Sequence, residues 1–201
     1  MASLSEMLLS QLGGDSMRQI GAAIGADPTM TRKAVSTAVP LLFSALAKNA
    51  SSASGASSLL GALDRDHDGS VLDDLGSLLS SFQGGAGAAI LGHVLGGQKS
   101  SVESGLAKKT GLDAGSISQL LVVLAPMVMG MLGKAKREQN FDVGGLSRTL
   151  QGEHEAATQA SPGLGDLIGG LLGSGQGASV ASEAVKIGGG LLGSLFGRKR
   201  R

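Results

Sequence analysis

Residues 17–49 have the sequence MRQIGAAIGADPTMTRKAVSTAVPLLFSALAKN, and residues 103–135 have the sequence ESGLAKKTGLDAGSISQLLVVLAPMVMGMLGKA. Aligned without a gap, the two stretches share a glycine, an aspartate, a proline and a lysine: Gly25 with Gly111, Asp27 with Asp113, Pro40 with Pro126, and Lys48 with Lys134. Because a proline inside a helix is unusual, its presence at the same position of both stretches makes chance similarity a poor explanation. The sequence therefore predicts two tandem copies of one helical unit.

The shared positions suit a short helix, a tight turn and a longer helix. Glycine adopts the left-handed conformation that commonly ends a helix, so Gly25 and Gly111 are predicted helix ends. Asp27 and Asp113 then suit the N-cap position, and Pro28 suits a first helical position. The longer helix carries apolar residues at helical spacing: Val35, Val39, Leu42 and Leu46. A proline inside that helix removes one backbone hydrogen bond.

Composition also indicates an all-α fold. Hydrophobic residues make up 42% of the 201 residues, but aromatic residues make up 2%, and strand-forming alternation is scarce. The 34 glycines, more than twice the usual ~7%, separate helix-length apolar segments. We expect a helical bundle of two repeats, at 1–96 and 97–173, followed by a flexible glycine-rich basic tail at 174–201.

Charge, cysteine content and hydropathy exclude several classes of protein. A net charge of +1 gives the whole chain no attraction to nucleic acid or anionic membrane. The absence of cysteine excludes disulfides, thiol catalysis and thiolate metal sites. The N-terminal residues lack the pattern of a secretory signal, and the longest apolar run, Leu120–Leu132, is shorter than the ~18 residues that span a bilayer. We expect a cytoplasmic protein in which that run is a buried helix.

Three segments carry a resemblance to a known family: DRDHDGSVLDDLGSLL at 64–79, AAILGHVLGG at 88–97, and VESGLAKKTGLDAGSISQLLVVLAPMVMGMLGK at 102–134. In these the chain resembles the YidB-like family of bacterial proteins, which carry the domain of unknown function numbered 937. The similarity extends over residues 1–173 and leaves 174–201 outside it. The resemblance implies an all-helical fold and a bacterial cytoplasmic setting, and it supplies no activity.

An acidic segment at 64–74 is the candidate metal site. It offers five carboxylates: Asp64, Asp66, Asp68, Asp73 and Asp74. The first three alternate and precede Gly69, as in the first half of a calcium-binding loop, where alternate side chains converge on one ion. Position 12 is Leu75 instead of a bidentate glutamate, so Asp73 or Asp74 would have to close a shortened loop. The competing interpretation is a helix break with solvated acids that favour turns and helix N-termini.

The segment LAKKTGLDAGSISQLL at 106–121, like its copy at 20–35, resembles the turn of a DNA-binding helix-turn-helix. A recognition helix presents polar side chains to base edges along its outer face. Here the second helix offers Ser116, Ser118 and Gln119 and then becomes apolar on all sides. This pattern favours a hairpin of two packed helices, and we expect no nucleic-acid partner.

Neither the C-terminal tail nor the histidines indicate catalysis. The tail ends in the basic residues 198–201, which favour a flexible, solubilising tail over the alternatives of weak membrane-surface contact and partner docking. His67, His93 and His154 have no serine–acid constellation beside them in sequence. We expect His93 to be hydrogen-bonded between packed glycine-rich helices. The chain is predicted not to be an enzyme.

The remaining interpretation is a structural or scaffolding protein. Its apolar helix surface, few aromatic residues and mean hydropathy of +0.20 favour helix-mediated association, with itself as a homo-oligomer or with a protein partner. Two alternatives stay open. One is a calcium-responsive module that uses the 64–74 segment, with Ca²⁺ as its ion, and the other is a DNA-binding helix-turn-helix protein.

Overall fold

The computed structural model describes residues 3–66, 85–160, 165–166 and 168–170. Its elements in chain order are α1 (Leu4–Gln11), α2 (Gly14–Ile24), α3 (Pro28–Asn49), α4 (Ala53–Asp66), α5 (Ala86–Leu95), a 3-10 turn (Gly96–Gln98), α6 (Lys99–Thr110), α7 (Ala114–Gln139) and α8 (Val143–Ala160). No strand occurs among these residues, so the predicted all-α fold is confirmed. The predicted tail at 174–201 lies outside the described residues.

The two predicted glycine ends are present. α2 ends at Gly25 with φ 69°, and α6 ends at Gly111 with φ 86°. Both values lie in the left-handed region, which glycine enters without the steric cost that other residues meet. These two glycines therefore end α2 and α6 at aligned positions.

The two predicted aspartate caps are also confirmed. Asp27 Oδ1 accepts hydrogen bonds from the backbone N–H groups of Thr29, at 2.8 Å, and Met30, at 3.0 Å. Asp113 Oδ1 accepts the N–H of Ser116 at 3.0 Å. Each carboxylate satisfies backbone donors that the first turn of a helix leaves without an intrahelical partner.

The long helices α3 and α7 continue through their prolines. Pro40 lies inside α3 and Pro126 inside α7, as the alignment predicts. α7 is long and apolar enough to cross a membrane, with a mean hydropathy of 1.8 in its most apolar window. However, 72% of that window is buried inside the protein. α7 is therefore a core helix, as expected from its sequence.

Both halves of the chain contribute to one hydrophobic cluster. The aligned apolar pairs are all buried in it: Ile20 with Leu106, Val35 with Leu121, Leu42 with Val128, and Leu46 with Leu132. The main neighbours of α3 are α1, α2, α5, α6, α7 and α8. The main neighbours of α7 are α1 to α6. The two long helices thus form the centre of the bundle.

The turns of the two halves also contact each other. Ser116 Oγ, near the start of α7, lies 2.8 Å from the carbonyl oxygen of Ile24 at the end of α2 and 2.6 Å from Asp113 Oδ2, so these two acceptors share its one proton. Lys33 Nζ, near the start of α3, donates to the carbonyl oxygen of Thr110 at the end of α6, at 3.4 Å. Ile24 and Thr110 are aligned positions, so each half contacts the other at the equivalent carbonyl group. Duplication and the boundaries proposed at residues 96 and 173 stay predictions.

The expectation for His93 is wrong. His93 is exposed on α5, and its carbonyl oxygen accepts a hydrogen bond from Asn49 Nδ2 at 3.3 Å. The physical reason is the helical period: α5 buries Leu91, Val94 and Leu95, which places position 93 on the outer face. Its imidazole is therefore not packed between helices.

Candidate functional site

A buried carboxylate connects α8 to the first helix. α8 buries Leu146, Leu150 and Ala157, and Glu153 lies on the same face, with 5% of its surface exposed. Glu153 Oε1 accepts the backbone N–H of Leu4 at 2.5 Å. These residues are brought together by tertiary folding alone, because they lie 149 positions apart in sequence.

The second oxygen of Glu153 completes the contact. Glu153 Oε2 accepts the backbone N–H of Ser5 at 3.0 Å and the Ser5 hydroxyl at 2.8 Å. A negative charge is favourable there, since the N-terminus of a helix carries free donors and the positive end of the helix dipole. The next donor, the N–H of Glu6, is held by Ser3 Oγ at 3.1 Å in a capping box. Glu153 therefore fixes α1 and is not available for chemistry on a ligand.

The neighbouring residue, His154, lines a groove. The groove has a volume of about 1060 Å³ and lies between the C-terminal half of α3, the turn into α4, the start of α4, and α8, and Ile168 and Gly169 also line it. Most of its described lining residues are small, among them Ser44, Ala47, Ala50, Ala53, Gly144 and Ser147. The backbone of the walls is therefore close to whatever occupies the groove.

The groove offers few polar side chains. Those of Lys48, Gln151 and His154 are the larger polar groups among its described lining residues. His154 Nδ1 is buried and has no hydrogen-bond partner among the described residues. The hydroxyl of Ser147 is used internally, because it lies 3.1 Å from the carbonyl oxygens of both Ala50 and Val143. No carboxylate is among the described lining residues, so they supply apolar contact and one imidazole rather than an acid–base pair.

The structure places the predicted acidic site only in part. The sequence predicted a loop at these positions. Instead, Asp64 and Asp66 lie in α4, which extends through Asp66. In the same helix Leu63 is buried in the core, and the carboxylate of Asp64 contacts Lys136 Nζ on α7. The other members, Asp68, Asp73 and Asp74, lie outside the described residues.

Metal binding at 64–74 consequently stays a prediction. Among the described residues, no group of three or more histidine, cysteine, aspartate or glutamate side chains could hold a metal ion. The Asp64–Lys136 contact adds one physical condition to the prediction. An ion that recruits Asp64 must replace an ammonium partner, which is 17% exposed.

The turns that resemble a helix-turn-helix are engaged inside the protein. Thr31 and Ile117 are buried near the starts of α3 and α7. Ser116 faces the end of α2, and Lys33 reaches the end of α6. These contacts support the predicted hairpin of packed helices, and the DNA-binding alternative gains no support from them.

Sequence reasoning missed Glu153, although a signal was present. Leu146, Leu150, Glu153 and Ala157 follow a spacing of four, three and four, so the glutamate interrupts an apolar helical face. A charged residue on such a face requires a partner, because burying an unpaired charge is costly. The partner could not be named from the sequence, since backbone N–H groups leave no residue-specific signal.

The fold and the groove define an all-helical protein without a recognisable catalytic constellation among its described residues. The chain belongs to the DUF937 family, described as bacterial protein of unknown function, whose model matches residues 6–135 and 139–201. This confirms the family resemblance, while the narrower YidB-like label stays a prediction. The expectation that 174–201 lies outside the family is wrong, because the second match continues to residue 201. No curated protein and no solved structure shows significant similarity to the chain.

Proposed function

We propose that this protein is a non-enzymatic cytoplasmic protein that acts through helix-mediated association, and that the groove beside His154 receives an apolar helix of a protein partner. The supporting observation is that the groove is lined mostly by small side chains and that His154 Nδ1 in it is buried without a hydrogen-bond partner among the described residues. Small side chains let a helix approach closely, as in other cases where an amphipathic helix occupies an apolar groove. A buried polar atom without a partner costs about 1–3 kcal/mol, and a polar side chain on the bound helix that hydrogen-bonds to the imidazole would remove that cost.

The distribution of apolar surface favours the groove over a flat patch. The sequence suggested that surplus apolar helix surface would remain exposed and mark an interface. Among the described residues, the large apolar side chain with notable exposure is Met7, at 37%. The remaining large apolar side chains are buried or half-buried around one core. Association through the described surface therefore depends on the concave groove.

A designed peptide tests this proposal. We expect an 18-residue amphipathic helix of leucine, alanine and lysine to shift the amide NMR signals of residues 47–56 and 143–154 of the full chain. Ala53→Arg places a long charged side chain at the groove wall and should weaken binding at least about ten-fold, since it blocks the groove and introduces an unpaired charge.

The matched control is Ser57→Arg. Ser57 is exposed one turn further along α4 and is outside the groove lining. It adds the same charge to the same helix, so binding should stay within about two-fold of the unmodified protein. Equal affinity for both variants, or no shifts at millimolar peptide, would contradict the proposal.

The alternative function is calcium-responsive binding, which rests on the sequence of residues 64–74. It predicts heat on titration with Ca²⁺ that disappears in an Asp64→Ala/Asp68→Ala variant. Because Asp64 contacts Lys136, Lys136→Met should leave that carboxylate free and strengthen calcium binding. No heat at millimolar Ca²⁺ with either the unmodified chain or Lys136→Met would exclude this alternative.

A further inference from the structure

The first helix is held almost entirely by residues remote in sequence. Leu4, Leu8 and Leu12 are buried, and the main packing partners of α1 are α3 and α7. Its N-terminus is held by Glu153 of α8. The next helix in sequence, α2, is not among its main partners. The surface that α1 occupies, here called its socket, is therefore made by helices remote from it in sequence.

The joint between α1 and α2 is short: Leu12 is buried with α1, whereas Gly13 and Gly14 have open surroundings. Leu12 and Gly13 are the two residues between the helices. A Cβ added at Gly13 or at Gly14 would meet no atom within 4 Å. The surroundings therefore leave the two glycines free to change their conformation.

The joint is non-helical in its ψ angles, but its φ angles are ones that an α-helix also uses. Leu12 has φ −75° and Gly13 has φ −63°, and both values already match an α-helix. Only the ψ angles, 70° at Leu12 and −179° at Gly13, differ from helical values. Rotation about two bonds would thus make α1 and α2 one continuous helix, with α1 directed away from its own socket.

We propose that α1 is exchanged between two copies of this chain, so that each α1 fills the socket of the other copy. The occupant is a second copy because the socket fits the sequence of α1. It buries leucines spaced by four residues and places a carboxylate on the N–H groups of Leu4 and Ser5 and on the Ser5 hydroxyl. An exchanged dimer forms the same contacts as the closed monomer and differs at the joint, as in other domain-swapped dimers.

This proposal goes beyond the groove proposal, because it names a second copy of the chain as the partner and uses a different surface. Sedimentation velocity on the full chain tests it, with Gly13→Ala/Gly14→Ala as the first variant. Alanine favours a helix over glycine at both positions, so straightening of the joint becomes easier. We expect the dimer of this variant to form at concentrations at least about ten-fold lower than that of the unmodified chain.

Two further variants make the result specific to the joint. Gly92→Ala/Gly152→Ala adds two methyl groups at exposed helical glycines with open surroundings and should leave dimerisation unchanged. Insertion of six glycine and serine residues between Gly13 and Gly14 lets α1 fold back easily and should give a monomer. A monomer for Gly13→Ala/Gly14→Ala up to millimolar concentration, or a dimer that none of the variants changes, would overturn the proposal. Peptide binding in the groove is measured independently, so the two proposals can fail separately.

Discussion

The carboxylate of Glu153 accepts a hydrogen bond from the hydroxyl of Ser5 at 2.8 Å, although the two residues are 148 positions apart. The same carboxylate accepts the backbone N–H groups of Leu4 and Ser5. One buried side chain thus satisfies three donors at the start of α1. This polar contact links α1 to α8, and its removal should lower the free energy of unfolding.

Glu153→Ala is expected to lower the free energy of unfolding by about 2–4 kcal/mol. The substitution leaves two backbone donors and one hydroxyl without their acceptor in a buried position, and each unsatisfied buried group costs about 1–3 kcal/mol unless water reaches it. Urea denaturation followed by circular dichroism measures the effect. Ser5→Ala removes the hydroxyl alone and should cost about 1 kcal/mol.

Glu155→Ala is the control for this prediction. Glu155 lies on the exposed side of α8 and accepts a hydrogen bond from Gln151 at 3.4 Å. Its removal should change stability by less than about 0.5 kcal/mol. Equal losses for Glu153→Ala and Glu155→Ala would show that the contact with α1 contributes little.

Gly111→Ala is expected to destabilise the protein by about 1–2 kcal/mol through the backbone alone. Gly111 has φ 86°, and a Cβ there would meet Met30 Cε at 3.6 Å, an ordinary contact. The cost therefore comes from the left-handed conformation, which alanine disfavours. Gly92→Ala, at an exposed position inside α5, should instead stabilise the protein by up to about 1 kcal/mol. Thermal denaturation should give shifts in Tm of opposite sign for the two variants.

Gly87→Ala tests close packing between α5 and α7. A Cβ at Gly87 would lie 2.4 Å from the carbonyl oxygen of Val122 and 2.9 Å from Val122 Cγ1. The backbone oxygen cannot move without shifting α7, so we expect a loss of about 1–3 kcal/mol. Denaturation by urea should separate this variant from Gly92→Ala on the same helix. A urea midpoint no lower than that of the unmodified protein would show that the two helices do not pack this closely.

Local rules explain what the sequence predicted correctly. The ends at Gly25 and Gly111 and the caps at Asp27 and Asp113 follow from conformational and hydrogen-bonding preferences that act within a few residues. Family resemblance and composition then made an all-α fold the natural expectation. None of these features depends on knowing which helices become neighbours.

The missed features depend on tertiary neighbours. Position 93 is exposed because α5 packs on the core with another of its faces. Asp64 lies in a helix, and its side chain contacts Lys136, which is 72 residues away in sequence. The groove beside His154 forms only when α8 is placed against α3 and α4. Sequence periodicity can show that Glu153 interrupts an apolar face, but the donors that satisfy it belong to the backbone of α1.

The cap at Asp113 should make stability depend on pH in the acidic range. The Ser116 hydroxyl lies 2.6 Å from Asp113 Oδ2, and together with the Ser116 N–H it lowers the pKa of this carboxyl below its ordinary value of 3.8. A lowered pKa in the folded state means that the contribution of Asp113 is complete above the ordinary value. The contribution is then lost as the pH falls through the lower, folded-state pKa.

Ser116→Ala should therefore raise the pKa of Asp113 toward 3.8, because the hydroxyl is the largest cause of the shift. A carboxyl-detected NMR titration measures this pKa directly, and urea denaturation between pH 5 and pH 2 should show a weaker loss of stability for the variant. Ser118→Ala, on the same turn of α7, is the control and should leave the titration unchanged. If Asp113 titrates at the same pH in Ser116→Ala as in the unmodified chain, the hydroxyl does not stabilise the charged cap, and the backbone N–H alone holds it.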